Sequence, residues 1–204
     1  FEKRRDMLSI SGVLGNIGGI YRENGNLDKS IDYYKRSLHI KEEISDKHGI
    51  GHSLVGLGNI YSDQGNYDKA IEYYNKALMI RKKLGDARSL AHSLNRIVIC
   101  NWNNNDYDES INILKESQAL QKEMGSKELI FETTLYLFLL YKKLGKEYDK
   151  HKIYKLIKEE VNINYKENLY LYQLLEKKSY LRTAYNHVKE KANNLKPDVK
   201  LKFL

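Results

Sequence analysis

Two histidines stand forty residues apart in matching contexts, His52 in "GHSL" and His92 in "AHSL". Imidazole nitrogens bind zinc and other transition metals, but a metal site needs three or four ligands within reach of one another. No further ligand follows either histidine at a suitable local spacing, and the residues around them repeat together with them. We therefore interpret the pair as a product of internal repetition and predict no metal site.

The single cysteine, Cys100, is the other residue whose chemistry suggests catalysis. It follows Ile97 by three residues and stands where neighbouring copies of the repeat carry isoleucine. A nucleophilic thiolate needs a base beside it and an exposed position, whereas free cysteines are often buried for packing alone. We expect Cys100 to be a buried packing residue.

Phosphate-binding and acid–base motifs are not supported by their surroundings either. The stretch "GNIGG" at 15–19 lies inside a predicted helix, and a phosphate-binding loop requires a preceding strand, which the sequence does not predict. The pairs Glu42-Glu43 and Glu159-Glu160 are typical of solvated helix ends. The sequence therefore predicts no catalytic activity and no cofactor.

The repetition itself is the strongest signal in the chain. The phrases "GNLDKS" at 25–30, "GNYDKA" at 65–70 and "NDYDES" at 105–110 recur every forty residues. Superposing residues 18–40 on residues 58–80 gives 12 identities in 23 positions. Such a period indicates stacked structural units, and the agreement weakens toward the C-terminus.

Each unit has the apolar spacing of two amphipathic helices. Gly65-Asn66 separates the two helices of the second unit, because glycine and asparagine tolerate the left-handed conformation at a helix end. Ala70, replaced by serine in the sister units, allows the helices to approach closely. The apolar residues of the second unit are Leu54, Leu57 and Tyr61, then Ile71, Tyr74, Ala77 and Leu78.

Composition favours one uninterrupted array. The 204 residues contain one proline, Pro197, and no Gly/Ser-rich stretch that would act as a linker. The chain begins with Phe1, so we expect a fragment of a longer protein. It has no apolar run long enough to cross a bilayer, no signal-peptide core and one cysteine, which favours the reducing cytoplasm and no membrane partner.

The net charge of +8 is concentrated in the last third of the chain. Residues 141–204 hold 16 Lys/Arg against 8 Asp/Glu, while residues 1–140 hold 19 of each. Lys150, Lys152 and Lys155 lie opposite apolar residues on a predicted amphipathic helix, which is typical of a solvated lysine face. Binding of nucleic acid through this face is the alternative, although no recognised nucleic-acid motif accompanies it.

The second unit resembles the tetratricopeptide repeat, with tyrosines where that family often has tryptophan or phenylalanine. The matching residues are Leu54, Leu57, Gly58, Tyr61, Gly65, Tyr67, Ala70, Tyr74 and Ala77, with a similar set in the first unit. The common unit has about 34 residues. The forty-residue units of this chain are similar to those of Pins/LGN adaptors, kinesin light chains and bacterial signalling proteins.

The resemblance implies an all-α fold, a right-handed α-solenoid of about five antiparallel helix pairs forming one domain over 1–204. The units would span about 8–47, 48–86, 87–126, 127–161 and a divergent 162–204. The first helices of such units line a concave face, where solenoids usually bind protein or extended peptide partners. We therefore expect a non-catalytic protein-binding scaffold.

Eight residues are predicted to bind a peptide on the concave face. Asparagine pairs with both N–H and C=O groups of a peptide backbone, arginine forks onto a carboxylate, and an aromatic ring anchors an apolar side chain. The family's clamp for acidic C-terminal tails is incomplete here, because Gly15 and Gly19 occupy its first pair of positions. The eight residues are Asn16, Arg22, Asn59, Asp63, Asn95, Arg96, Trp102 and Tyr136.

Function is therefore expected to reside in binding. The first interpretation is a docking or sensing module of a larger signalling protein. The alternatives are a regulatory module that binds nucleic acid through the basic C-terminal face, and a receptor for a small signalling peptide. Self-association through the divergent C-terminal units is a further expectation.

Overall fold

The computed structural model describes residues 2–123, 125, 127–159 and 163–193, and every regular element among them is an α-helix. Ten helices in these ranges follow one another as five consecutive pairs, so the predicted all-α solenoid class is confirmed. The helices are α1 Glu2–Glu23, α2 Leu27–Glu43, α3 Lys47–Asp63, α4 Tyr67–Leu84, α5 Ala87–Asn103, α6 Tyr107–Glu123, α7 Lys127–Lys143, α8 Lys150–Glu159, α9 Tyr165–Leu175 and α10 Lys178–Asn193.

The helix pairs fall into two compact units, Phe1–Leu120 and Gln121–Leu204, here called unit 1 and unit 2. In unit 1, α1 packs on α2, α2 on α3, α3 on α4 and α4 on α5. In unit 2, α9 packs on α10 and on α7, and α7 packs on α8. Whether 1–204 acts as one domain stays a prediction.

The turns inside the pairs repeat one geometry. Gly25 and Gly65 have φ of 75° and 74°, in the left-handed region that glycine reaches without strain. The next residue, Asn26 or Asn66, caps the following helix by accepting a hydrogen bond from the backbone N–H three residues on. In the third pair, Asn105 takes the glycine position with φ of 62°. The predicted helix stop is therefore confirmed at glycine, while the asparagine after it acts as the cap.

The turns between pairs place an aspartate at the start of the next helix. Gly85 has φ of 67°, and the Asp86 side chain accepts a hydrogen bond from the Ser89 N–H at 3.1 Å. Ser45 takes the glycine position before Asp46 and has φ of 55°. Gly125 has φ of 65°. Ser126, which the sequence Gly-Ser predicts to cap the next helix as Asp86 does after Gly85, lies outside the described residues.

Close packing of the helix pairs depends on small residues facing rings. Tyr74 of α4 is 1% exposed, and a Cβ added at Gly58 of α3 would lie 2.6 Å from its ring. Ala70 is fully buried, as predicted, and so is Ser30, whose hydroxyl donates to the Gly18 carbonyl at 2.6 Å. Cys100 is also fully buried, which confirms its interpretation as a packing residue.

A set of long polar side chains near the ends of the second helices adds buried hydrogen bonds. The Lys41 ammonium donates to the Ser53 hydroxyl at 3.1 Å, and the Arg81 guanidinium donates to the Ser93 hydroxyl at 2.6 Å. Lys41 is 6% exposed, and this burial lowers the pKa of its ammonium. Each bond joins a second helix to the first helix of the next pair.

The apolar residues that share one face of helix α10 are mostly not buried. Leu181, Ala184, Tyr185, Val188 and Ala192 share the helical spacing of a buried stripe, but only Ala184 is buried among those whose side chains are described. Leu181 is 40% exposed and Tyr185 is 62% exposed. Helix α10 packs on α9, and this contact leaves both side chains partly open to solvent. Residues 195–204, for which the sequence suggests the start of a further helix, lie outside the described residues.

Candidate functional site

The surface formed by α1, α3 and α5 in unit 1 is here called the first-helix face. Arg22, near the end of α1, donates from Nε to Asp63 Oδ2 at 2.5 Å, and Asp63 is the last residue of α3. Their side chains are 30% and 41% exposed. Arg22 and Asp63, which belong to successive sequence repeats, therefore contact each other across the first helices α1 and α3.

A second contact joins the first-helix face to the helix behind it. Asn59 lies one turn before Asp63 on α3, and its Oδ1 accepts a hydrogen bond from the Tyr74 hydroxyl at 2.8 Å. Burial raises the pKa of the Tyr74 hydroxyl, and Arg96 and Arg22 oppose the shift from within electrostatic reach. Asn59 thus contacts this buried hydroxyl directly, while the charges of Arg22, Asp63 and Arg96 act on it through space.

Two polar groups on this face keep hydrogen-bonding capacity. The Arg96 side chain is exposed, and it forms no ion pair with a carboxylate of the described residues. The Asn59 oxygen is occupied by Tyr74, but the amide Nδ2 donates no hydrogen bond within that part of the chain. Donors for a carboxylate and for a carbonyl therefore stand on adjacent first helices.

The other predicted site residues lie in different settings. Asn16 is exposed on α1. Asn95 is 5% exposed, so its amide lies inside the packing and not on the open surface. Trp102 is half-buried and packs edge-on against Tyr107 of its own pair, with ring centroids 5.9 Å apart. Tyr136 belongs to unit 2, where its hydroxyl accepts from Tyr170 at 3.2 Å.

Tyr74 and Tyr34 were missed as parts of the site by sequence reasoning. Tyr34 occupies in α2 the place of Tyr74 in α4, and a Cβ at Gly56 of α3 would lie 2.3 Å from its ring. A signal was present, because both tyrosines recur at one position of the repeat while glycines recur opposite them. That signal indicates packing, and only the fold shows that the Tyr74 hydroxyl reaches the first-helix face.

The residues first considered for chemistry do not form a reactive centre. His52 and His92 are exposed, and within the described ranges no three metal-binding side chains come together. Burial raises the pKa of the Cys100 thiol, which makes the thiolate nucleophile less accessible. The lysines of the basic face, Lys150, Lys152 and Lys155, are exposed on α8.

None of the helices in the described residues is both long and apolar enough to span a bilayer.

Several solved structures share this fold at low sequence identity. The apo form of RapI has a TM-score of 0.75 and 15% identity, over 92% of this chain and 54% of RapI. Aspartyl phosphate phosphatase F from Bacillus subtilis has a TM-score of 0.74 and 14% identity, over 91% of this chain and 51% of the phosphatase. A Rap protein complexed with competence and sporulation factor has a TM-score of 0.62 and 17% identity, over 87% of this chain and 46% of the Rap protein. This chain spans about half the length of each of them.

Comparison with curated protein sequences gives no significant match. The family model of the tetratricopeptide repeat matches residues 9–83 and, in an overlapping second placement, residues 54–123. These matches cover more than half of the chain and include the two helix pairs in which glycine faces tyrosine. The chain belongs to the tetratricopeptide repeat family.

Proposed function

We propose that unit 1 binds an extended peptide segment of a partner protein on its first-helix face, with Arg96 receiving a carboxylate of that segment. The observation that carries the proposal is the grouping on this face of the Arg22–Asp63 ion pair, the Tyr74–Asn59 hydrogen bond and the exposed guanidinium of Arg96. The tetratricopeptide fold is a protein-binding scaffold, and its first helices form the surface that usually binds. In this proposal the chain is the docking or sensing module of a larger signalling protein.

Arg96 supplies the charge recognition. Its guanidinium is exposed and lacks a carboxylate partner among the described residues, so a ligand carboxylate does not have to displace an existing ion pair. A planar guanidinium binds a carboxylate with two parallel hydrogen bonds, which fixes direction as well as charge. The segment is therefore expected to present an acidic side chain or a free C-terminus.

Asn59 supplies the backbone recognition. Because Tyr74 donates to its Oδ1, the amide is held with Nδ2 available to a peptide carbonyl. Asn16 is the exposed amide available on the neighbouring α1. Amides on successive first helices suit a segment that crosses those helices in an extended conformation.

The Arg22–Asp63 pair supplies a switchable polar contact. Both side chains remain partly exposed, so their ion pair adds little to the stability of the unfilled chain. A ligand that offers its own charge to either partner replaces that contact at small cost. The pair therefore favours a segment carrying polar or charged groups along its length.

The proposal is tested by selecting linear peptides from a random displayed library on the intact chain and resynthesising the binders with fluorescent labels. Arg96→Ala is expected to weaken binding about 10-fold or more, because a charge-assisted hydrogen bond contributes about 1.5–3 kcal/mol. Changing the acidic group of each peptide to its amide should give a similar loss. Fluorescence polarisation measures both changes.

Arg36→Ala is the matched control for this experiment. Arg36 is an exposed arginine on α2 and forms a surface pair with Asp32 at 3.6 Å, away from the first helices. Its replacement should leave the affinity unchanged. A selection without binders, or equal effects of the two arginine variants, would contradict the proposal.

A second candidate is a receptor for a small free signalling peptide. The similarity to a Rap protein complexed with competence and sporulation factor favours it. The two candidates differ in ligand length, so the selected peptides are shortened residue by residue from both ends. Retention of full affinity by the shortest peptides favours the receptor, whereas a steady loss as the peptides are shortened favours docking of a partner segment.

A further inference from the structure

A small apolar cavity lies within unit 1 and is lined by α4, α5 and α6. Its volume is about 220 Å³. Pockets for drug-sized ligands have volumes of about 300–1,000 Å³, so this cavity suits a molecule the size of one amino acid. Its apolar wall consists of four leucines, the buried Leu90 and Leu94 of α5 and the half-buried Leu78 of α4 and Leu120 of α6.

Charged side chains of opposite sign line the same cavity. Arg81 and Lys82 belong to α4, and Glu116 belongs to α6. Among the described residues, none of the three takes part in an ion pair, either with one another or with a different side chain. The cavity therefore offers a positive and a negative group to one ligand, and neither group has to be released from an existing ion pair.

The Arg81 guanidinium is held in position by the fold. Its Nη1 donates to the Ser89 carbonyl at 2.7 Å and to the Ser93 hydroxyl at 2.6 Å. Its Nε and Nη2 donate to no acceptor within the part of the chain that the structure describes. Guanidinium N–H groups bind carboxylates through charge-assisted hydrogen bonds. Arg81 is therefore an oriented cation that retains donors for a carboxylate.

The corresponding positions one repeat earlier do not offer these groups. Lys41 stands forty residues before Arg81, but it is only 6% exposed. Lys76 stands forty residues before Glu116, where it reverses the charge and forms an ion pair with Glu72 at 2.5 Å. The combination of an accessible guanidinium and an unpaired carboxylate is therefore a property of this cavity and not of the repeat.

We propose that the cavity binds a free aliphatic α-amino acid such as L-leucine. The leucine wall receives the aliphatic side chain, Arg81 receives the carboxylate, and Glu116 receives the ammonium. Lys82 adds positive charge on the carboxylate side. A ligand that lacks either charge leaves Arg81 or Glu116 without a partner. This site is additional to the first-helix face and does not depend on peptide binding there.

The test is equilibrium dialysis of the intact chain against radiolabelled L-leucine, with unlabelled competitors. Leucinamide lacks the carboxylate, 4-methylpentanoate lacks the ammonium, and glycine lacks the aliphatic side chain. Each should compete about 10-fold or more weakly than L-leucine, because each loses a charge-assisted hydrogen bond or the apolar contact. Saturable binding of L-leucine with this order of competitors is the expected result.

Filling the cavity should abolish binding. Leu120→Phe places a larger apolar side chain at the cavity wall, where it competes with the side chain of the ligand. Ile80→Phe is the matched control, because Ile80 is also half-buried and stands forty residues earlier in the repeat. The control variant should bind L-leucine as the unmodified chain does. Circular dichroism verifies that both variants keep their helical content.

Charge variants distinguish recognition from a general loss of folding. Arg81→Lys keeps a cation for the Ser93 hydroxyl, as Lys41 does for Ser53, and should reduce the preference for leucine over leucinamide. Glu116→Gln should reduce the preference for leucine over 4-methylpentanoate instead. A folding defect would lower all affinities together and would not change one preference alone.

Absence of saturable leucine binding would overturn the proposal. Equal competition by leucine, leucinamide and 4-methylpentanoate, or unchanged binding by Leu120→Phe, would do the same. Stronger competition by a short peptide that ends in leucine than by leucine itself would also contradict it, because the occupant would then be the end of a polypeptide.

Discussion

Unit 1 and unit 2 distribute side-chain volume differently between their first and second helices. In unit 1 the first helix carries glycine where the second helix carries tyrosine, as at Gly58 and Tyr74, where an added Cβ would lie 2.6 Å from the ring. In unit 2 the residue eighty positions after Gly58 is Phe138, whose ring centroid lies 5.6 Å from that of Tyr148. The first helix α7 therefore carries a bulky side chain where α3 carries glycine.

The third helix pair shows the same exchange halfway. Val98 stands at the glycine position and Leu114 at the tyrosine position, and they are 1% and 0% exposed. Protein interiors are packed to a nearly constant density, so a larger residue on one helix requires a smaller one opposite. The comparison indicates that packing constrains the combined volume of the two facing residues. It does not fix the identity of either residue alone.

The largest effect is expected from breaking this complementarity in unit 1. Gly58→Val forces a branched side chain into the buried ring of Tyr74 and should lower the free energy of unfolding by about 3 kcal/mol. Adding Tyr74→Leu recreates the Val98 and Leu114 combination and should recover part of the loss. Urea denaturation of the two single variants and the double variant measures the coupling.

Gly12→Ala is the control for the glycine substitution. Gly12 is also inside a helix, but a Cβ there would meet nothing within 4 Å. This variant should be more stable by about 0.5–1 kcal/mol, because glycine is a poor helix former. A loss at Gly12 as large as at Gly58 would mean that the tyrosine ring is not the cause.

Substitutions in the turns should change stability by a smaller amount. The sign of the change should differ between a turn with glycine and the turn with serine in the left-handed position. Gly65→Ala places a Cβ in the left-handed conformation at φ of 74° and should cost about 1 kcal/mol. Ser45→Gly relieves the same conformation at φ of 55° and should change stability in the opposite direction. Thermal unfolding followed by circular dichroism checks both signs, and a shift of the same sign in both variants would contradict the explanation.

A comparable effect is expected from the aromatic contact in unit 2. The Tyr148 hydroxyl donates to the Leu174 carbonyl at 2.8 Å, while its ring packs on Phe138. Tyr148→Phe keeps the ring and removes one hydrogen bond, so it should cost about 1 kcal/mol. Hydrogen exchange localises the loss, which should appear in α9 and leave the amides of unit 1 unchanged.

The smallest effect appears only at alkaline pH. Burial raises the pKa of Tyr74 above its ordinary value of 10.0, so the unfolded chain loses this proton at a lower pH than the folded chain. The contribution to stability is complete below pH 10 and declines as the pH rises from there toward the raised pKa. Tyr74→Phe should flatten the decline in urea midpoints measured from pH 9 to 11. Identical slopes for both proteins would show that another group controls alkaline unfolding.

The predicted site was only partly recoverable from the repeat. Arg22, Asn59, Asp63 and Arg96 were selected because the repeat assigns them to the first helices, and their mutual proximity depends on how those helices pack. Asn95 was predicted to line the concave face but is buried, as are Gly15 and Leu135 at the same position of other repeats. Position in a repeat fixes the helix and its approximate side, while burial depends on neighbours distant in sequence.

The sequence by itself determined the helices, their pairing and the turns, because these follow from local backbone preferences and from a period that recurs within a few tens of residues. Glycine and asparagine at 65–66, small residues at the close contacts and the spacing of the apolar positions are all local signals. Only the tertiary structure decided that Tyr74 reaches Asn59 and that Arg22 pairs with Asp63. Those facts depend on the packing of side chains from different helices, and a linear period does not encode which neighbour is present.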